Sequence, residues 1–437
     1  MGIVFRGAIV LTMNPDRAIL RPGQVRIDGD RICAVSDQED LAGPGDRLIE
    51  ATGKLLMPGL INAHCHAAMS IFRNYGNDVD LDCWLKDYIW PLENQWQSAD
   101  IYTATLLDIA EMLATGTTCF ADMYMEMDQV ARAVEDSGIR ALLSRGITAS
   151  GYQEALADQP RFFERWNGAA SGRIRTNIAT HAVYTATPDS LRAAKRMIDR
   201  LGASHHIHLC ETQKEVADCQ AQYGMSPVAL FDRYGLLDEH TIAAHCVWLS
   251  EEDIALLKKR GVHPVYNPAS NMKLASGFMP LDRLLSEGIA VAIGTDGAAS
   301  NNKQDLFRDM ALGSLIQKGA QLDPLAAPAA SLLEMATCNG AKAVGLEAEL
   351  GSIEPGKKAD LILVDFDNLA HSPSPVDVAA GLVYSGAGAD VSLTMVDGKI
   401  LYQDHQFVHL DIEQIKRSCD GILQAMQKRR QAHGNRD

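Results

Sequence analysis

The sequence predicts an α/β protein, a (β/α)8 barrel of the TIM type with a small β-sandwich domain formed by both chain termini. Three observations point there. Eight short apolar runs recur through the middle of the chain, amphipathic stretches of helical period separate them, and β-type runs with hairpin signals occupy both ends. With 437 residues and 47% hydrophobic content, the chain can bury one large core and a smaller one.

Taken in order, residues 1–55 supply the first part of the sandwich. IVFRGAIVLTM and GQVRIDGDRICAVS read as strands, with NPDR between them and Gly29-Asp30 as a hairpin turn. The barrel is expected over 56–348 and opens with LLMPGLINAH. Its further strands are TTCFADMY, RALLSRGIT, RTNIATHAVY, HHIHLCE, TIAAHCVW, VHPVYN and VAIGTDG. Helices are expected at SADIYTATLLDIAEMLATG, QVARAVEDSG, PDSLRAAKRMIDRLG, SEEDIALLKKRG, PLDRLLSEG and QDLFRDMALGSLIQKG, several ending in the glycine that commonly follows a last turn. Strand texture returns over 349–408 in GSIEPGKKADLILVDF and VSLTMVDGKILYQDHQF, where Asp397-Gly398 is a second hairpin signal; 409–437 form a helix or tail. A doubly wound sheet shares this alternation. The placement of polar residues selects the barrel.

Composition narrows the function. A net charge of -16 without any Lys/Arg block argues against nucleic acid. Nine scattered cysteines, odd in number and without a Cys-x-x-Cys pair, fit thiols in a reducing compartment. No apolar segment approaches the roughly 20 residues that span a bilayer, and no basic leader precedes a long apolar core. A cytoplasmic protein with no membrane partner is expected, and a homo-oligomer stays open as an alternative to a monomer.

Metal-capable side chains fall at the C-terminal ends of successive runs. His64 and His66 follow the first, His181 the fourth, His208 and Glu211 the fifth, His245 the sixth and Asp296 the eighth. In a (β/α)8 barrel those ends share one face, where active sites of this fold lie. His64 and His66, two apart on an extended strand, point the same way and reach one cation. Singly, each has a bland explanation: an incidental His-x-His, a buried histidine bonded to a carbonyl, a helix-capping aspartate. What those explanations leave over is the shared position of all of them. The remaining histidines, His205, His206 and His433 among them, lack that placement and read as structural or surface. Cys65, Cys210 and Cys246 read as small core residues, with thiolate ligation the weaker alternative.

Imidazoles with one carboxylate suit a borderline divalent ion, zinc by default, with iron(II) or manganese as alternatives. Such an ion draws the pKa of its water towards 7. A proton shuttle must accompany it, and Glu211, three residues past His208, is the candidate. Asp296 can accept a proton from the water, and His245 can polarise it or stabilise a developing oxyanion.

With His64-x-His66, His208 followed by Glu211, His245 and GTDGAAS in this order, the chain resembles the amidohydrolase superfamily, specifically its mononuclear aminohydrolase branch. PGLINAHCHAAMSIFRNYGNDVDLDCWLKDYIWPLE, AAHCVWL, NPASNMKLASG and GTDGAASNNKQDLFRDMALGSLIQKG look like the 5'-methylthioadenosine/S-adenosylhomocysteine deaminases. The resemblance implies loss of ammonia from the adenine 6-position of a small nucleoside. By it, His64, His66, His208 and Asp296 hold the metal, Glu211 and His245 serve the chemistry, and His181 contacts the purine. It gives Trp84 to the nucleoside pocket and Glu93 to the ribose hydroxyls. Family members that use S-adenosylhomocysteine hold its carboxylate with arginines; Arg145 matches one, while Arg161 lies near the other in a segment of different length. Fewer arginine donors favour uncharged 5'-groups. Two alternatives remain, a superfamily hydrolase of another heterocycle (s-triazine or guanine) and a non-catalytic binding protein.

Overall fold

A computed structural model gives the protein's structure and describes residues 2–434. Eight consecutive parallel strands make the barrel sheet: β1 (Leu60–Cys65), β2 (Thr117–Tyr124), β3 (Arg140–Ile147), β4 (Ile174–Thr180), β5 (His205–Leu209), β6 (Thr241–His245), β7 (His263–Tyr266) and β8 (Ala292–Ile293). Each of the eight apolar runs holds one of them. The strands are buried nearly throughout, as a sheet enclosed on both faces must be.

Only two residues long, β8 cannot close the barrel by a regular ladder. The seam to β1 is made instead by Asp296 N–H to the His64 carbonyl (3.0 Å), Thr295 N–H to Asn62 Oδ1 (3.0 Å) and Asn62 Nδ2 to Thr295 Oγ1 (2.7 Å). Residue 294 has to be glycine for this approach, since a Cβ there would lie 2.8 Å from the His64 carbonyl oxygen.

The expected helices appear as Ser98–Ala114, Met127–Ser137, Pro188–Leu201, Glu251–Arg260, Leu281–Ser286 and Leu306–Gln321. Gly138, Gly202 and Gly261 end three of them in the left-handed region. Further helices span Tyr152–Trp166, Gln213–Tyr223 and Pro227–Arg233, in stretches where the sequence reading placed none.

The chain ends combine in one nine-stranded sheet. Its junction is Lys54–Pro58, which runs parallel to Ile3–Leu11 and antiparallel to Leu361–Asp365. Both hairpin signals hold: Gly29 and the pair Asp397, Gly398 turn with positive φ between antiparallel strands. Phe5, Val25, Leu56, Leu361 and Met395 share its core. Sheet and barrel are tied by Arg140 at the start of β3, fully buried, whose Nε donates to Asp360 (2.8 Å) and whose Nη2 donates to Asp397 (2.6 Å).

Helix Ile412–Gly434 ends the described chain, and buries Ile415, Cys419 and Met426 with Ile101 and Ile109 of the first barrel helix. Of the tail expected over 409–437, residues 435–437 lie outside the described residues, as does the side chain of His433.

Candidate active site

At the C-terminal mouth of the barrel lies a cavity of about 560 Å³ whose lining includes His66, Trp84, Glu93, His181, His208, Glu211, His245 and Asp296. His64 is buried just behind them. Three strand ends here leave ordinary backbone geometry: Cys210, His245 and Asp296 have φ of 53°, 75° and 63°. Left-handed backbone at non-glycine residues costs on the order of 1–3 kcal/mol each and is concentrated at functional sites.

Carbonyl partners fix which ring nitrogens carry hydrogen. His66 Nδ1 lies 2.6 Å from the Met123 carbonyl and His208 Nδ1 lies 2.7 Å from that of His181, so both Nδ1 atoms donate. In the neutral rings the two Nε2 lone pairs then face each other at 3.2 Å, where they cannot bond. Asp296 Oδ1 sits 3.2 Å from His66 Nε2 and 3.5 Å from His64 Nε2, and the latter is buried with no hydrogen-bond partner. Such a cluster of acceptors calls for positive charge at its centre. Burial works to keep His66 neutral, yet the hydrogen bond and charge of Asp296 lift it to about 9, while burial pushes His64 down to about 3. A divalent ion would satisfy every one of these atoms together, and the donor set fits it. The donor atoms of His64, His66 and Asp296, and those of His64, His208 and His245, lie within 4.8 Å of one another in each group.

Asp296 is oriented from behind. Its Oδ2 accepts from Ser270 Oγ (2.6 Å) and Ser300 Oγ (2.9 Å), which leaves Oδ1 to face the histidines. Burial would raise this carboxyl, but the imidazoles of His64 and His66 beside it hold it well below the usual range. His245 Nδ1 donates to Asn271 Oδ1 (2.9 Å), and its Nε2 faces Glu211 Oε2 at 3.8 Å. Burial raises the Glu211 carboxyl, with Ser276 Oγ donating to it at 3.2 Å. The turn that presents Glu211 is held by Glu215, whose carboxylate accepts from the N–H groups of Cys210 (3.1 Å) and Glu211 (2.8 Å).

One wall of the cavity is the helical segment 81–93, which carries both Trp84 and Glu93. Its middle, Trp84–Ile89, widens into a π turn just before Pro91. Proline has no N–H to give to a carbonyl one turn back, and the Asp87 carbonyl instead accepts from Arg430 of the final helix at 3.1 Å. Glu93 Oε1 accepts from Tyr124 OH (2.5 Å), which accepts in turn from Trp96 Nε1 (3.1 Å), and burial raises the Glu93 carboxyl. Opposite, burial pushes His181 down to about 4, and its Nδ1 lies 3.0 Å from Thr185 Oγ1.

Arg145 does not line the cavity: its guanidinium pairs with Asp158. Arg161 is spent on Asp158 (2.6 Å) and Asp128 (2.7 Å) at the surface. Among the described residues, neither lysine nor arginine lines the cavity. Cys65, Cys210 and Cys246 are buried free thiols, each pushed up by burial, and belong to neither donor group. His206, read from sequence as structural, lies 2.9 Å from His64. The signal was available: His206 and His208 are two apart on β5 and share a face.

The sequence profile of the amidohydrolase family matches residues 55–401. A 5'-deoxyadenosine deaminase of Methanosarcina mazei is 43% identical over 429 residues, covering 96% of this chain and 98% of its own. A 5-methylthioadenosine/S-adenosylhomocysteine deaminase of Caldanaerobacter subterraneus is 43% identical over 420 residues, covering 95% and 96%. Among solved structures, an adenosine deaminase from Xanthomonas campestris with bound zinc superposes with a TM-score of 0.93 at 33% identity, covering 98% of each chain.

Proposed function

Because the chain belongs to the amidohydrolase family, we propose that it hydrolyses the adenine 6-amino group of adenosine derivatives to give the inosine analogue and ammonia. The candidates are 5'-deoxyadenosine, 5'-methylthioadenosine, S-adenosylhomocysteine and adenosine itself. One observation carries the reading: imidazole lone pairs and a carboxylate oxygen converge beside a buried Glu211 at the floor of a nucleoside-sized cavity.

His64, His66, His208 and Asp296 would hold the ion, with zinc favoured by the donors and by the zinc-bound relative. When bound it supplies Lewis acidity and a more acidic water. Glu211, raised by burial, is suited to carry the proton that water loses to the purine N1 and on to the departing amine. Asp296 is positioned to accept a proton, its second oxygen being held by Ser270 and Ser300. His245, anchored by Asn271, orients the water through Nε2. His181 contacts the purine, Trp84 offers a ring face, and Glu93 accepts from the vicinal ribose hydroxyls. With Arg145 and Arg161 engaged by aspartates, the cavity offers no cation to a substrate carboxylate, so uncharged 5'-groups should be used at least as well as S-adenosylhomocysteine.

The cellular setting we infer is the cytoplasm. Nine free cysteines suit a reducing compartment, and among the described residues no helix is long and apolar enough to cross a membrane.

The test is ammonia release from a panel of 5'-deoxyadenosine, 5'-methylthioadenosine, S-adenosylhomocysteine, adenosine, guanine and an s-triazine, with metal content measured alongside. Turnover of the adenosine derivatives, with kcat/KM for the uncharged ones at least equal to that for S-adenosylhomocysteine, is expected. Turnover confined to guanine or the triazine would replace the reading with another hydrolase of the superfamily. About one ion per chain is expected; far less, with no ammonia from any compound, would leave a binding protein.

A further inference from the structure

A buried chain of hydrogen bonds runs from the barrel interior to the candidate metal centre and ends on His64. Ser144 Oγ, on β3, lies against Asn177 Oδ1 of β4, and since an amide oxygen only accepts, the hydroxyl hydrogen belongs to that bond. His206 Nδ1, 3.3 Å from the same hydroxyl oxygen, is then the donor to it. Its Nε2 is left with a lone pair, which at 2.9 Å accepts from His64 Nδ1. His64 Nε2 is therefore bare, and it is the atom that faces Asp296 without a partner of its own. Ser144, Asn177, His206 and His64 are each fully buried, so no water competes for these bonds.

The other two imidazoles of the donor set receive their tautomer from backbone carbonyls. A carbonyl can only accept, so it needs nothing behind it. His64 has no such carbonyl; its partner is a second imidazole, which can donate or accept, and the bias has to come from Ser144 and Asn177. The reverse arrangement would put hydrogen on His64 Nε2 and remove a ligand.

We propose that His206 is a positioning residue for the metal, holding His64 in the ligating tautomer through the Ser144–Asn177 pair. This rests on the metal reading given above. Partners behind metal-bound histidines fix tautomer and ring orientation, and their loss typically costs about 10–100-fold in metal affinity.

The test is zinc affinity by chelator competition on the full-length parent, His206→Ala, His206→Gln and Ser144→Ala proteins, with the melting temperature of each apo-protein recorded. His206→Ala is expected to bind zinc roughly 10–100-fold more weakly. His206→Gln, whose amide oxygen can accept at the Nε2 position, should stay within a few-fold of the parent even if both variants lower the melting temperature alike. Ser144→Ala, which strips the bias but keeps the imidazole, should fall between. A His206→Ala protein that binds zinc like the parent, or a His206→Gln protein as weak as His206→Ala, overturns the assignment. Should His206→Ala fail to fold, Ser144→Ala decides, and unchanged affinity there overturns it too. If the parent itself binds no zinc, the metal reading falls first, which separates the two failures.

Discussion

Glu211 has the environment of a proton carrier. It is buried, its carboxyl is raised, and it touches both His245 and Ser276. Glu211→Gln keeps the shape and removes the proton site, so kcat should fall by about 10²–10⁴-fold with metal content unchanged; steady-state kinetics beside metal analysis check this. Glu93, also on the cavity wall, is proposed to meet a different part of the substrate. Glu93→Ala should weaken kcat/KM for adenosine derivatives at least tenfold, on the order of 1.4 kcal/mol for a lost pair of charge-assisted bonds, while any residual turnover of free bases stays unaltered. The side chains that the resemblance named from sequence line one cavity, except that His64 lies buried just behind it and Arg145 turns to Asp158. Sequence could not show that pairing, because the competing aspartate sits on a helix, Tyr152–Trp166, that the reading left unassigned. His206 is hidden for another reason: its neighbour His205 faces the other side of the strand, with its Nδ1 on the Leu236 carbonyl, and two adjacent histidines do not by themselves say which ring turns inward.

At the scale of elements, strands were the more legible. Continuous apolar runs of β-branched and small residues end in polar side chains because an enclosed parallel sheet permits polarity only at its mouth. Helices closed by Gly138, Gly202 and Gly261 were equally plain. Tyr152–Trp166 was not, since Pro160 lies inside it, where a helix interior normally excludes proline. The helix Gln213–Tyr223 matters most for chemistry, because Glu215 in its first turn reaches back to bind the backbone under Glu211. Glu215→Ala should let that turn move and lower kcat by roughly 10–100-fold, the scale expected when a catalytic group shifts by about 1 Å. Zinc affinity should stay near that of the parent; a loss of metal in step with kcat would show that Glu215 supports the ligands rather than Glu211.

At the scale of the molecule, barrel and sheet are joined by a buried charge. Arg140 meets Asp360 and Asp397, which belong to the C-terminal part of the chain. Replacing Arg140 by Met leaves Asp360 buried without its cation and Asp397 with only Lys358, at 3.3 Å, and about 3–5 kcal/mol of stability should be lost. Denaturant unfolding measures it. The triple variant, with Asp360→Asn and Asp397→Asn added, should recover part of the loss, because the buried carboxylate charges are gone.

The strand Lys54–Pro58 and the helical wall at 81–93 both depend on partners near the far end of the chain, Leu361–Asp365 and Arg430. On the ribosome, that strand emerges with one edge open and waits while the entire barrel is synthesised. Exposed edges of this kind invite intermolecular pairing, so nascent chains stalled before Leu361 should need chaperones that released chains do not. The segment proposed to bind the nucleoside is braced last of all, and on that reading a half-made chain should hold a metal ion before it can hold a substrate.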